Sequence, residues 1–397
     1  MLNNKLSNSI PIFIIAGEVS GDIFAAELMA QIKDQIHCQF IGCGGIHMQK
    51  QGLINVSTDN SLLSAIGLVE AIRFLFKHSR ILNSIVPNIK KNNCKHVILV
   101  DHEVFSILAA KKIRRAFGNS IKIYFFIPPR VSMWGSKNAS MIAKLCDALF
   151  CYMQPDLPIY KKYNKNSFFF GNPLSKKLKT FISHPDFYIK NNLNPNKQYI
   201  ALMPGSRDQE IKQLLPIFLK TALRLNVERN VDFLITLAHK DLAKKINQEI
   251  EKSGISYCVH LVDDSSLQIM SHCALGFVSA GTITLEAVMM GMYPIITYKV
   301  SDFTFKTIKK TENLNDETLV GLPNVFLNAR VFPEILQFEV TSDRLYHEAV
   351  FYLDMAPEMK NYLISDAKEK LNETLGSIDS IKNVANYIVN DIQDSYE

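Results

Sequence analysis

No apolar run in the chain is long enough to cross a bilayer, so any membrane contact is expected to be peripheral. The run Ile10 to Ala16 is too short for a span and has no cleavage pattern beside it. Paired cysteines are also missing. The seven cysteines (38, 43, 94, 146, 151, 258 and 273) are odd in number and scattered. They show no metal-ligand spacing and no disulfide framework, and they point to reduced thiols in the cytoplasm. A strong charge of either sign is lacking too. The net charge of +6 speaks mainly for solubility, with a slight preference for an anionic substrate or membrane surface, and no nucleic-acid partner is expected. Short repeats and low-complexity tracts are absent.

What remains is an ordinary globular composition, 47% hydrophobic and 21% charged, in 397 residues. That is too long for one ordinary core, and two domains are expected. Apolar runs end repeatedly in small-residue loops. Ile10 to Ala16 reads as a central parallel strand feeding Gly17-Glu18-Val19-Ser20-Gly21-Asp22 and a helix through Ala30. Gln39 to Ile41 is a short strand closed by Gly42-Cys43-Gly44-Gly45, glycines dense enough to imply a loop that a ligand or backbone approaches. Val97 to Val100 delivers Asp101 to the carboxyl edge of the sheet, where ligands bind in open α/β folds. A helix from Val104 to Arg115 follows, and further strands are expected at Ile123–Ile127, Ala148–Tyr152 and Phe168–Phe170. Between Leu174 and Gln198 the pattern dissolves. A second βα series then begins, with strands at Tyr199–Met203, Phe233–Leu237, Tyr257–Leu261, Leu275–Val278 and Pro294–Tyr298. Beyond Arg330 the chain reads as mostly helical. Strands alternating with helices, in two runs, make an α/β chain of two doubly wound, Rossmann-like domains.

Two loops of the second run carry phosphate chemistry. Ser279-Ala280-Gly281 is a tight turn between a strand and a helix starting at Thr282, which leaves backbone N–H groups and a positive dipole end at the sheet edge. Glu286, one helical turn further on, is placed to accept hydrogen bonds from a ribose diol. Such a turn alone is equally a plain αβ connection. Pro204-Gly205-Ser206-Arg207 is the second loop, and Arg207 can grip a diphosphate with a bidentate fork. Alone, it is equally a solvent-facing arginine at a helix start. The two together favour a nucleotide-diphosphate site. A further stretch, Ala65 to Lys77, is apolar nearly all round with Arg73 and Lys77 on one edge. It reads as a buried helix or as one that dips into a membrane interface.

Ala16 to Asp22, Gly42-Cys43-Gly44-Gly45-Ile46-His47-Met48, Gly67-Leu68-Val69-Glu70, Pro204 to Arg207, Ser279 to Glu286 and Leu322-Pro323-Asn324 stand in an order and spacing that resembles the lipid-A-disaccharide synthase family. The resemblance runs to about Gln337. It implies the GT-B architecture, two Rossmann-like domains facing a cleft. It implies transfer from UDP-2,3-diacylglucosamine to 2,3-diacylglucosamine 1-phosphate (lipid X), with inversion to a β-1′,6 linkage and without a metal or other cofactor. Three motifs depart from the family. Asp-Ala-Pro-Asp-Phe-Asn becomes Asp101-His102-Glu103-Val104-Phe105-Ser106, Ser-Val-Trp-Ala-Trp-Arg becomes Arg130-Val131-Ser132-Met133-Trp134-Gly135, and Gly-His-Pro becomes Gly171-Asn172-Pro173.

An inverting transfer needs a base for the acceptor hydroxyl and positive groups for the leaving UDP. Asp101 is the expected base, with helix capping as its alternative role and His102 and Glu103 as substitutes. Gly205, Ser206, Arg207, Ser279, Gly281, Thr282 and Glu286 are expected to hold the nucleotide. Glu18, Ser20, Gly44, Gly45, Asn324 and Arg330 are expected on the acceptor side or in the cleft. The expected domains are 1–173 for the acceptor, a linker at 174–198, 199–350 for UDP-sugar and C-terminal helices at 351–397 that pack back on the first domain. A cytoplasmic protein held peripherally at the inner membrane is expected, and a homodimer is among the expectations. Other readings are a UDP-sugar epimerase or glycosyltransferase of the same architecture, or a non-catalytic paralogue.

Overall fold

The computed structural model describes residues 9–17, 19–56, 68–134, 136–237, 242–300 and 318–395. The chain forms two compact units, Met1–Lys176 with Leu375–Glu397, and Lys177–Thr374. The first holds seven parallel strands: β1 (Ile10–Ala16), β2 (Cys38–Cys43), β3 (Ile54–Asn55), β4 (His96–Val100), β5 (Lys122–Phe126), β6 (Ala148–Cys151) and β7 (Ser167–Phe169), in the order β3-β2-β1-β4-β5-β6-β7. The inner strands are mostly apolar because helices cover both faces. Ile12 and Ile14 of β1 lie in one core with Leu28 and Met29 of helix Val19–Lys33 and with Ile388 and Ile392 of helix Ser380–Asp394. Phe13 and Ile15 point the other way, into a core with Ile85, Phe105, Ile113 and Ile142.

The second unit holds six parallel strands: β8 (Tyr199–Met203), β9 (Asp232–Thr236), β10 (Val259–Val262), β11 (Leu275–Ser279), β12 (Tyr293–Tyr298) and β13 (Glu334–Leu336), in the order β10-β9-β8-β11-β12-β13. In each sheet the strand order reverses once, between β1 and β4 in the first and between β8 and β11 in the second. At such a point the two connecting loops leave adjacent strands in opposite directions, and the carboxyl edge opens into a crevice.

Several expectations change. Helix Glu103–Phe117 begins one residue earlier and ends two later than expected. Two short edge strands, β3 and β13, were not anticipated, and β13 interrupts the stretch expected to be helical beyond Arg330. The span 174–198 does not behave as a linker: it contains helices Ser175–Lys179 and Phe187–Lys190. Phe187 is fully buried and stacks on His272 with centroids 4.1 Å apart. Burying such a side chain contributes roughly 1.5–3 kcal/mol, enough to fix the segment to the second unit. The C-terminal helices also divide. Residues 357–374 belong to the second unit, and helix Ser380–Asp394 belongs to the first. Residues 65–67 and the side chains of 68–78 lie outside the described residues, although helix Leu68–Lys91 is present. No helix among the described residues is long and apolar enough to cross a membrane. All seven cysteines are buried and unpaired, and burial pushes the Cys43 thiol up to about 12.

Candidate active site

In the first unit the chemistry collects where β1 and β4 part. Asp101 follows β4 directly, and its N–H donates to the Phe126 carbonyl at 3.0 Å. Its backbone and that of His102 are both left-handed, with φ of 55° and 49°. For residues other than glycine this costs on the order of 1–2 kcal/mol each, and such strain concentrates at functional sites. The bend turns the Asp101 carboxylate back over the loop that follows β1. Ser20 donates its hydroxyl to Asp101 Oδ2 at 3.2 Å. Gly21 makes room for this, since a Cβ there would stand 3.2 Å from the Asp101 Cβ. The N-terminus of helix Val19–Lys33 therefore meets the carboxylate. Asp101 is not the N-cap of the next helix; His102 is, and no side chain caps it.

His102 has moved from candidate base to packing residue. It is buried, lies edge-on to Phe105 with ring centroids 5.9 Å apart, and fills the space over Gly17, where a Cβ would come within 2.5 Å of its ring. Glu103 is exposed. Glu18 lies outside the described residues. Gly44 and Gly45 have internal reasons to be glycine or to sit where they do. A Cβ on Gly44 would meet the Met48 sulfur at 2.2 Å, and the Gly45 N–H donates to Asp22. Asp22, fully buried, also accepts from the N–H groups of His47 and Met48, and so pins the glycine loop to helix Val19–Lys33.

In the second unit the loops after β8 and β11 flank the reversal point, with Met203 paired to Val278. Gly281, at φ 150°, ends the turn after Ser279, and helix Thr282–Met289 starts there with no side-chain cap. Gly281 and Thr282 are exposed, so their amides face solvent at the positive end of the helix. Thr284 holds the turn by donating to the Gly281 carbonyl at 2.7 Å and accepting from Leu322 N–H at 3.2 Å. Glu286, one turn on, is nearly buried, and Lys177 anchors its Oε1 at 2.7 Å.

The loop after β8 works differently. The N–H groups of Ser206 and Arg207 both donate to Glu210 Oε2, at 3.0 and 3.2 Å. That carboxylate packs against Gly205, at φ 110°, where a Cβ would stand 2.1 Å from it. With those amides engaged, the loop can meet an anion through the Arg207 side chain, which is exposed and 3.4 Å from Glu210 Oε1. Asn324 is fully buried. Its Nδ2 donates to Phe332 O and Glu334 Oε1, each at 2.8 Å, and its Oδ1 accepts from Val331 and Phe332 N–H. Both donors and the acceptor are spent, so Asn324 shapes its loop rather than touching a ligand. Arg330 donates to Thr318 O at 3.4 Å and is exposed.

Residues 12–388 match the model of the lipid-A-disaccharide synthetase family. The chain belongs to this family. A lipid-A-disaccharide synthase of Persephonella marina is 28% identical over 382 residues, covering 95% of this chain and 97% of its own length. One of Geobacter sulfurreducens is 29% identical over 346 residues, covering 86% and 88%. Among solved structures, the S. aureus MnaA–UDP complex is similar with a TM-score of 0.62 at 13% identity, covering 97% of each chain. The Neisseria meningitidis UDP-GlcNAc 2-epimerase bound to UDP-GlcNAc reaches 0.59 at 13% identity, covering 97% and 100%. At these identities the structures speak for the fold alone, two Rossmann-like domains of the GT-B kind. Membership of the lipid-A-disaccharide synthetase family makes the chain a glycosyltransferase of lipid A biosynthesis. Within that family's frame, sequence reading missed four residues that hold the site together: Asp22, Lys177, Glu210 and Glu334. Asp22 and Glu210 stand in or beside motifs already singled out. Lys177 and Glu334 carry no local signal, because their partners are 109 residues away in one case and 10 to 14 in the other.

Proposed function

We propose that this chain transfers 2,3-diacylglucosamine from its UDP derivative to 2,3-diacylglucosamine 1-phosphate, with Asp101 as general base and the second unit as UDP site. The observation that carries the reading is the placement of Asp101 at the reversal point of its sheet, on a strained backbone, with Ser20 fixing one carboxylate oxygen. Asp101 takes the proton of the acceptor 6-hydroxyl. The hydroxyl oxygen attacks the anomeric carbon, the bond from that carbon to the UDP oxygen breaks, and the configuration inverts. Charge growing on the leaving diphosphate is met by the Arg207 guanidinium and by the exposed amides of Gly281 and Thr282. Glu286 accepts from the ribose hydroxyls beside its anchor, Lys177. Gly205, Ser206 and Ser279 contribute by shaping the two loops, and Asn324 by shaping a third. The acyl chains of both substrates favour peripheral work at the inner membrane. A single assay tests the reading: purified protein, UDP-2,3-diacylglucosamine and lipid X, with products read by mass spectrometry. A β-linked disaccharide phosphate with stoichiometric UDP is expected. UDP release without disaccharide, or an epimerised donor, would overturn it.

A further inference from the structure

The first unit carries a cation that no role above has used. Three adjacent strands, β4, β5 and β6, end within one residue of one another, with Val100 paired to Phe126 and Phe126 to Phe150. Asp101 leaves the first of these ends, and Arg130 stands on the loop leaving the second. That loop is held on both sides of Arg130. The Pro129 carbonyl accepts from the buried Tyr160 hydroxyl at 2.9 Å, and the Ser132 N–H donates to the buried Asp156 at 2.8 Å. Ile127 enters the loop in a left-handed conformation, φ 61°, rare for a β-branched residue, and its N–H is tied to Phe150 O at 3.1 Å. Arg130, itself half-buried, therefore projects from a rigid support at the same sheet edge as Asp101. Carboxylates gather at this edge. The charges that act on the Tyr152 hydroxyl, at the end of β6, are Arg130 and the carboxylates of Asp101, Asp156 and Glu103. An acceptor bearing a phosphate would be repelled from such a surface without a cation to meet it.

We infer that Arg130 is the specificity-determining residue that binds the phosphate of the sugar 1-phosphate acceptor while Asp101 addresses its 6-hydroxyl, an inference that rests on the acceptor assignment above. Neighbouring strand ends are about 4.8 Å apart, so two of them span a hexose ring whose reacting hydroxyl and phosphate sit at opposite ends. Arg supplies a planar fork that matches two phosphate oxygens.

The test compares two acceptors, lipid X and the same diacylglucosamine without phosphate, in wild type, Arg130→Ala and Arg130→Lys. With lipid X, Arg130→Ala should raise the acceptor KM and lower kcat/KM roughly 10- to 100-fold, the worth of a charge-assisted hydrogen bond. With the unphosphorylated acceptor the change should stay within a few-fold, and the KM for the UDP donor should not move. Arg130→Lys should recover part of the preference. Equal losses with both acceptors would reduce Arg130 to a loop support, and an intact preference for lipid X would remove it from the acceptor site. Direct calorimetric binding of lipid X separates this inference from the wider one. Arg130-dependent binding by a protein that makes no disaccharide would sink the proposed reaction and keep Arg130, whereas disaccharide synthesis with binding indifferent to Arg130 would do the reverse.

Discussion

At the scale of single residues, Asp101 and Arg207 carry opposite risks. Asp101 sits on a conformation that costs energy, and its neighbours are arranged to hold it there. Asn has the same shape and tolerates the left-handed region well, so Asp101→Asn should fold normally and keep its UDP affinity. It cannot accept the proton, and turnover should fall about 10²–10⁴-fold. Steady-state assays settle this. Activity within a few-fold of wild type would pass the base role to Glu103, since His102 is buried against Gly17 and Phe105. Arg207 is exposed, and its guanidinium lies 3.4 Å from Glu210 Oε1. Arg207→Ala should leave the fold untouched and weaken UDP binding by roughly 1.5–3 kcal/mol, read by calorimetry. Unchanged affinity would mean that the helix amides at Gly281 and Thr282 hold the diphosphate without it. Asp101 was legible in the sequence because a four-residue apolar strand points at it. The engagement of Glu210 with the Ser206 and Arg207 amides was not, because a glutamate three residues into a helix reads the same whether it caps or not.

At the scale of elements, the long inner strands were readable from their apolar runs, while two- and three-residue edge strands such as Ile54–Asn55 and Glu334–Leu336 offer no period to read. Helix Ser380–Asp394 was readable as a helix, but not its docking. Its Asp391 accepts from the Tyr124 hydroxyl, and Tyr124 in turn lies 3.1 Å from His96 Nδ1. Burial holds His96 down to about 4, against the pull of Asp391 and with Lys122, Lys95 and Asp147 also acting on it. The unfolded chain therefore binds more protons than the folded one between pH 6.5 and 4. Stability supplied by the neutral imidazole is complete above that window and is lost as pH falls through it, by about 3 kcal/mol in all. Urea unfolding at pH 7 and pH 5 should show the loss, and His96→Asn, which keeps a donor and does not titrate, should flatten it. An identical slope in the variant would assign the acid sensitivity to other groups. A second element-scale test concerns helix Leu68–Lys91. Phe74→Ser with Phe76→Ser should reduce co-sedimentation with anionic vesicles while the protein stays folded. Undiminished binding by a folded variant would make the helix part of the core.

At the scale of the whole molecule, the alternation of strands and helices in two runs was enough to read two Rossmann-like domains. The division between them was not readable, because it depends on which buried surface each helix finds rather than on composition. Phe187 looks like part of a linker until His272 is beside it, and helix Ser380–Asp394 is separated by some two hundred residues from the sheet it completes. That last feature sets an order of events during synthesis. The second unit, Lys177–Thr374, has all of its residues in one continuous stretch and can close as soon as they have left the ribosome. The first unit begins to emerge earlier, but Phe150 and Phe168 of its sheet and the Tyr124 hydroxyl must wait for Tyr387 and Asp391 of helix Ser380–Asp394. The domain made first is finished last, and its exposed apolar sheet is what a chaperone would meet in the interval.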